Sequence, residues 1–242
     1  MSVITSTVSV GTPDGSMDLF VATPEQEPAT AGVVLLQEAF GVNHHIQDVA
    51  RRYATGGYLV AAPDLYHRFE QRLMSYDDIA TAKALLGRTT QRGVLDDVRA
   101  AQEWLAGQVS SIGVVGYCFG GRVSWLAAAN LEGLDAAVVY YGGGIVTEAP
   151  DAPVRQAAGI GCPLLAFFGA EDQQIPAADV NAIRDALDQA GARAEVRVLP
   201  GVGHGFACDA RPDSHDAEAA AETWTLTERF LHEHLVGQPA TT

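Results

Sequence analysis

Four residues in this sequence carry groups suited to acyl chemistry, and each stands at the end of an apolar run: Glu38, Cys118, Asp172 and His204. Cys118 lies in Gly116–Tyr117–Cys118–Phe119–Gly120–Gly121–Arg122, after Ile112–Gly113–Val114–Val115 and before Val123–Ser124–Trp125–Leu126–Ala127–Ala128–Ala129. A strand, a glycine-flanked turn and a helix therefore meet at one thiol. Glycine two residues before and two after the cysteine permits a turn that a Cβ would block. With serine at its centre the same pattern is a nucleophile elbow, G-x-S-x-G. The thiolate, not the thiol, attacks a carbonyl, so Cys118 needs a base beside it. His204 is suited to take and return a proton near neutral pH. Asp172 is suited to fix the imidazole tautomer and stabilise the imidazolium, with Glu171 as the alternative acid. The chain order nucleophile, acid, histidine matches that of the G-x-S-x-G enzymes. The developing oxyanion calls for preset donors, and the expected pair is the N–H of Phe119, at a helix N-terminus, and that of Ala39, in the loop after the first buried strand.

The elements that must position these groups follow from the hydrophobic pattern. Val3–Val10 and Ser16–Ala22 read as two antiparallel strands across Gly11–Thr12–Pro13–Asp14–Gly15. Gly32–Gln37, Tyr58–Ala62, Ile112–Val115, Ala136–Tyr141, Pro163–Phe168 and Ala194–Leu199 read as further strands, several of them apolar enough to be buried on both faces. Between them lie helical stretches over His45–Thr55, a short one within Asp77–Leu86, Val94–Ala106, Ala177–Ala190 closed by Gly191, and a final one over His215–Leu235. Strand and helix alternate from residue 32 onward, which calls for a mostly parallel sheet covered by helices on both faces. Reactive groups in such sheets gather at the carboxyl ends of the strands. No repeat or linker divides the chain, so residues 1–242 are expected to form one domain.

Composition excludes whole classes of partner. The net charge of −15 comes from 30 acidic against 15 basic residues, among which Lys83 is the one lysine. Such a chain lacks the clustered cations that nucleic acid or an anionic membrane surface requires. Hydrophobic residues at 48% supply a sizeable core. The N-terminus has neither a basic segment nor an apolar run of the secretory type, and no window is apolar enough to span a membrane, so a cytoplasmic location is expected. Three widely spaced cysteines, 118, 162 and 208, make neither a disulfide framework nor a zinc ribbon. Adjacent His44 and His45 point apart on a helix with no carboxylate at ligand spacing, so neither a metal nor any other cofactor is expected. Cys162 reads as packing, Cys208 as pocket-lining or exposed, and His232 and His234 as solvent-facing.

Four blocks together resemble the dienelactone hydrolase family: Gln37–Glu38–Ala39–Phe40–Gly41–Val42–Asn43, Pro63–Asp64–Leu65–Tyr66, Gly116–Tyr117–Cys118–Phe119–Gly120–Gly121 and Gly203–His204–Gly205–Phe206. They occur in the family's order, and the resemblance covers nearly the whole chain. It implies an α/β-hydrolase fold: a mostly parallel central sheet, antiparallel N-terminal strands and no large lid domain. It implies a Cys118–His204–Asp172 triad with Glu38 beside the cysteine, where the family's glutamate helps convert thiol to thiolate when substrate binds. The substrate is then a small ester or lactone, and the protein a monomer or small homo-oligomer.

The departures concern the substrate. Family members that cleave dienelactone carry an arginine four residues after the histidine to hold a carboxylate; here that residue is Cys208. The family's second arginine and its pocket aromatic align with Asp78 and Ala82. Phe40, Arg72, Cys208 and Arg211 are therefore the expected substrate contacts, with Arg68 a further replacement cation. Whether residues 67–92 overhang the pocket as a flap is left open by the pattern. Glutamine amidotransferases also use G-x-C-x-G, but their glutamate two residues beyond the histidine is replaced here by Phe206. A non-catalytic alternative, a hydrolase-fold ligand binder or thiol redox sensor, would not need all three triad residues.

Overall fold

The structure, a computed structural model, describes residues 2–237. It opens with a hairpin of β1 (Val3–Thr12) and β2 (Gly15–Pro24), paired from Val3 opposite Pro24 to Thr12 opposite Gly15. The loop is just Pro13–Asp14, tighter than the five-residue connection the sequence suggests. Gly15 accepts the turn with φ 124, and the Thr12 hydroxyl donates to its carbonyl at 2.9 Å.

Six more strands follow: β3 (Ala31–Leu36), β4 (Leu59–Pro63), β5 (Ser111–Tyr117), β6 (Ala136–Tyr140), β7 (Leu164–Gly169) and β8 (Ala194–Leu199). They join the hairpin in one sheet of order β1-β2-β4-β3-β5-β6-β7-β8, in which only β2 runs against the others. β3, β4, β6 and β7 are buried at every residue, which is why they read as unbroken apolar runs. β8 is mostly exposed, an edge strand carrying Glu195 and Arg197.

The helices are α1 (His44–Thr55), α2 (Ile79–Leu86), α3 (Gln91–Ala106), α4 (Phe119–Asn130), α5 (Ala177–Ala190) and α6 (Ala217–Leu231), with a π-helical turn over His232–Val236. Their starts are set by caps: the side chains of Asn43, Asp78, Thr90 and Asp216 accept from backbone N–H groups in the first turns of α1, α2, α3 and α6. β4 lies on one side of β3, and β5 and β6 on the other. Right-handed crossovers therefore put α1 and α4 on opposite faces of the sheet. α6 joins α1, with Trp224 stacked on Tyr53 at 4.4 Å, while α3 packs on α4. Among the described residues no helix is long and apolar enough to cross a membrane.

Strand order reverses between β3 and β5, so the crevice beyond their carboxyl ends is the switch point where α/β sheets bind ligands. Glu38 follows β3 and Cys118 follows β5. The segment from residue 67 to 92 is tied down along much of its length. His67 Nε2 meets Asp97 Oδ1 at 3.0 Å, Arg68 donates to both oxygens of Asp97, and the N–H of Met74 donates to the carbonyl of Phe40 at 3.2 Å.

Candidate active site

Cys118 sits between β5 and α4 at φ 54 and ψ −112, a conformation non-glycine residues seldom adopt. The flanking glycines make it possible. A Cβ on Gly116 would lie 1.9 Å from the carbonyl oxygen of Gly120, and one on Gly120 would lie 2.4 Å from that of Leu36. Backbone bonds fasten the turn to its neighbours: Cys118 N–H to the carbonyl of Tyr140 at 3.0 Å, Gly120 N–H to that of Gln37 at 2.9 Å. β6 stops at Tyr140, one residue short of the expected end, because Tyr141 takes a positive φ of 37. The Tyr141 ring then meets His204 edge-on at 5.1 Å.

The loops after β7 and β8 are joined by backbone bonds, Ala170 N–H to Leu199 and Glu171 N–H to Val202, at 2.8 and 2.9 Å. This brings His204 over the acid. Its Nδ1 is 2.8 Å from Asp172 Oδ2 and its Nε2 is 3.1 Å from Cys118 Sγ. Asp172 is buried and also accepts from the N–H of Gln174 at 2.8 Å, which fastens the turn after β7; it caps no helix, since α5 starts beyond Pro176 without a side-chain cap. Glu171, the alternative acid, is exposed. Burial works against an imidazolium at His204. The charges of Cys118 and Asp172 and the hydrogen bonds to both outweigh it and lift His204 from 6.5 to about 10.

The two expected oxyanion donors lie on either side of this turn. Phe119 is the first residue of α4, whose leading N–H groups have no helical acceptor. On the other side, the Glu38 carbonyl accepts from Gln37 Nε2 at 3.4 Å, which turns the N–H of Ala39 the opposite way across the planar peptide. The Tyr66 hydroxyl donates to the Ala39 carbonyl at 3.0 Å, and its ring stacks parallel to Phe119 at 6.1 Å.

Glu38 is placed in the crevice, but its carboxylate is not bonded to Cys118. It accepts from the Tyr76 hydroxyl at 3.5 Å, and that hydroxyl in turn accepts from the thiol of Cys208 at 3.4 Å and from Asn43 Nδ2 at 3.1 Å. Cys208 is fully buried, neither exposed nor open to solvent, and burial with the nearby Glu38 charge raises its thiol to about 12. Phe40 is also buried, edge-on to Tyr76 at 4.7 Å.

The cations divide. Arg72 pairs with Asp64 at 3.3 Å and Asp18 at 3.8 Å, so the protein's own carboxylates already occupy its charge. Arg68 pairs with Asp14 and Asp97. Arg211 instead lies over the rings of Phe40 and Tyr76, at 5.8 and 5.6 Å. Asp78 caps α2 and Ala82 is buried.

The sequence pattern does not single out Arg122 or Tyr76. Arg122 is one helical turn after the cysteine, and its guanidinium lies 5.3 Å over Phe119. Burial pulls it below the ordinary arginine value while the charge of Cys118 pulls it back. With Phe119 and Val123 it walls a cavity of about 170 Å³, opposite Leu86, Thr90 and Val94. Among the described residues no carboxylate lies within ion-pair distance of Arg122 or Arg211. The only hint of Arg122 is its i+4 spacing from Cys118, which puts it on the same helix face. Tyr76 carries no comparable hint, because its segment is charged and irregular. Cys162 is buried, as packing predicts. His45 does find a carboxylate, though through space: Glu38, His45 and Cys208 have ligand atoms within 4.8 Å of one another.

Comparison with known proteins points one way. The profile of the dienelactone hydrolase family matches residues 17–235. An Escherichia coli (strain K12) protein named "Putative carboxymethylenebutenolidase" is 36% identical over 237 residues, 95% of this chain and 87% of that one. A Synechocystis protein of the same name is 35% identical over 235 residues, 91% of this chain and 94% of that one. The crystal structure of a "Putative Dienelactone Hydrolase" from Klebsiella pneumoniae superposes with a TM-score of 0.89 at 32% identity, covering 96% of this chain and 100% of that one.

Proposed function

Because the chain belongs to the dienelactone hydrolase family and is a hydrolase of the ester or lactone type, we propose that it works by a Cys118–His204–Asp172 triad through an acyl-thioester on Cys118. One observation carries this reading. His204 bridges the other two residues, with the thiol 3.1 Å from one ring nitrogen and the acid 2.8 Å from the other.

In the proposed cycle His204 holds the thiol proton and the Cys118 thiolate attacks the substrate carbonyl. The S–C bond forms as the carbonyl π pair moves onto oxygen, where the N–H groups of Phe119 and Ala39 receive it. The C–O bond then breaks, and the leaving alkoxide takes the proton from His204. Water, deprotonated by the now neutral His204, attacks the thioester, and the acid departs as Cys118 regains its thiolate and His204 its charge. Asp172 keeps the Nδ1–H tautomer throughout. Glu38, held by Tyr76 at rest, is a second acceptor for the thiol proton once it turns toward Cys118. Arg122 and Arg211 are the cations left to face an anionic substrate group, in place of the arginine absent at Cys208. The substrate is a small ester or lactone.

The test is Cys118→Ala assayed with p-nitrophenyl acetate and a panel of lactones. Turnover is expected to vanish while the folded state persists by circular dichroism. Wild-type turnover in that variant would refute the triad.

A further inference from the structure

Glu38 follows β3, His45 is the second residue of α1, and Cys208 lies beyond the triad histidine, yet the fold buries all three side by side. Their exposures are 1%, 3% and 0%, and a carboxylate oxygen, an imidazole nitrogen and a sulfur lie within 4.8 Å of one another. His45 Nδ1 meets Asp209 Oδ1 at 2.9 Å. That carboxylate takes the Nδ1–H, which leaves the lone pair on Nε2. Nε2 is buried and has no hydrogen-bond partner among the described residues. Buried imidazole nitrogens are ordinarily satisfied, so this one is presented to something other than protein.

We propose that Glu38, His45 and Cys208 form a binding site for a thiophilic divalent cation. One thiolate, one imidazole and one carboxylate suit Zn²⁺, and a dication cancels the two negative charges in a buried setting. The Asp209–His45 bond is the outer carboxylate contact that metal-ligating histidines ordinarily make. As the metal–sulfur bond forms, the Cys208 S–H bond breaks and its proton leaves along the bond to the partly exposed Tyr76 hydroxyl, and from there to solvent. A tetrahedral ion with bonds of about 2.0–2.3 Å sets its ligand atoms roughly 3.3–3.8 Å apart, so side-chain rotation must close the group by about an ångström. The Tyr76 hydroxyl is hydrogen-bonded to both Glu38 and Cys208. The site is separate from the Cys118–His204 pair. Its consequence rests on the ester-hydrolase reading: a bound ion holds Glu38 away from Cys118 and lowers turnover.

The binding half is tested with Co²⁺ on full-length Cys118→Ala, which lacks the catalytic thiol. One Co²⁺ per chain with a thiolate-to-cobalt charge-transfer band is expected, and the band should disappear when Cys208→Ser is added. Asp209→Asn, at an exposed position that does not threaten folding, should weaken binding by about 10–100-fold. Absence of the band in Cys118→Ala, or its survival in Cys118→Ala/Cys208→Ser, would overturn the site. For the regulatory half, Zn²⁺ should inhibit ester hydrolysis by the wild type, and His45→Gln should keep its turnover and lose the inhibition. Stoichiometric Co²⁺ binding without any Zn²⁺ effect on wild-type turnover would overturn that half and leave both the site and the hydrolase reading standing.

Discussion

His204 is where burial and charge contend. Its proton is held more tightly in the folded protein than the ordinary 6.5, up to about 10, because Cys118 and Asp172 face it from both nitrogens. The stability this adds is complete below about pH 6.5 and fades as pH rises through about 10. The alkaline limb of the kcat/KM profile is therefore expected near pH 10 rather than near 6.5. Replacing Cys118 by alanine removes one source of that support, so the stability loss, followed by thermal melts across pH, should move toward neutrality. A melt profile unchanged in Cys118→Ala would mean the thiol does not support the imidazolium. At this scale the meeting of Cys118, His204 and Asp172 is legible because each ends an apolar run. The choice between Glu171 and Asp172 is not, since it depends on which of two adjacent carboxylates turns inward.

The elbow depends on space more than on sequence propensity. Gly116 and Gly120 pass so close to other backbone that neither admits a methyl group. Gly116→Ala should cost about 3 kcal/mol, lowering Tm by roughly 6–12 °C. Gly143→Ala, with nothing within 4 Å of the added carbon, should leave Tm nearly unchanged. Equal melting temperatures for the two variants would contradict the packing argument. Element types and order follow from periodicity and caps, so Asn43, Asp78 and Thr90 start helices within a few residues of where the pattern put them. The failures are local. Tyr141 leaves its strand early because its φ turns positive, and Arg72 is drawn to Asp64 and Asp18, carboxylates whose proximity depends on how β2 meets β4.

Across the whole molecule, protection should follow the sheet from its centre outward. β3 and β4 are buried throughout, whereas β1 and β8 form exposed edges. Amide hydrogen exchange is thus expected to be slowest in β3 and β5 and fastest in β1 and β8. Fast exchange in β3 would argue against this architecture. The alternation of strand and helix discloses a parallel sheet, but not that β3 lies between β4 and β5. That placement creates the crevice and joins groups far apart in the chain, such as His45 and Asp209, 164 residues apart. A pattern read residue by residue has no access to such a meeting.

The three thiols are not equivalent. Cys162 and Cys208 are buried, with their thiols raised to about 11 and about 12, while Cys118 is partly exposed and bonded to His204. To an alkylating reagent this is a protein with one cysteine. Under the proposed mechanism the moles of label taken up by a folded sample count its competent molecules, so specific activity can be normalised per Cys118 thiol rather than per milligram.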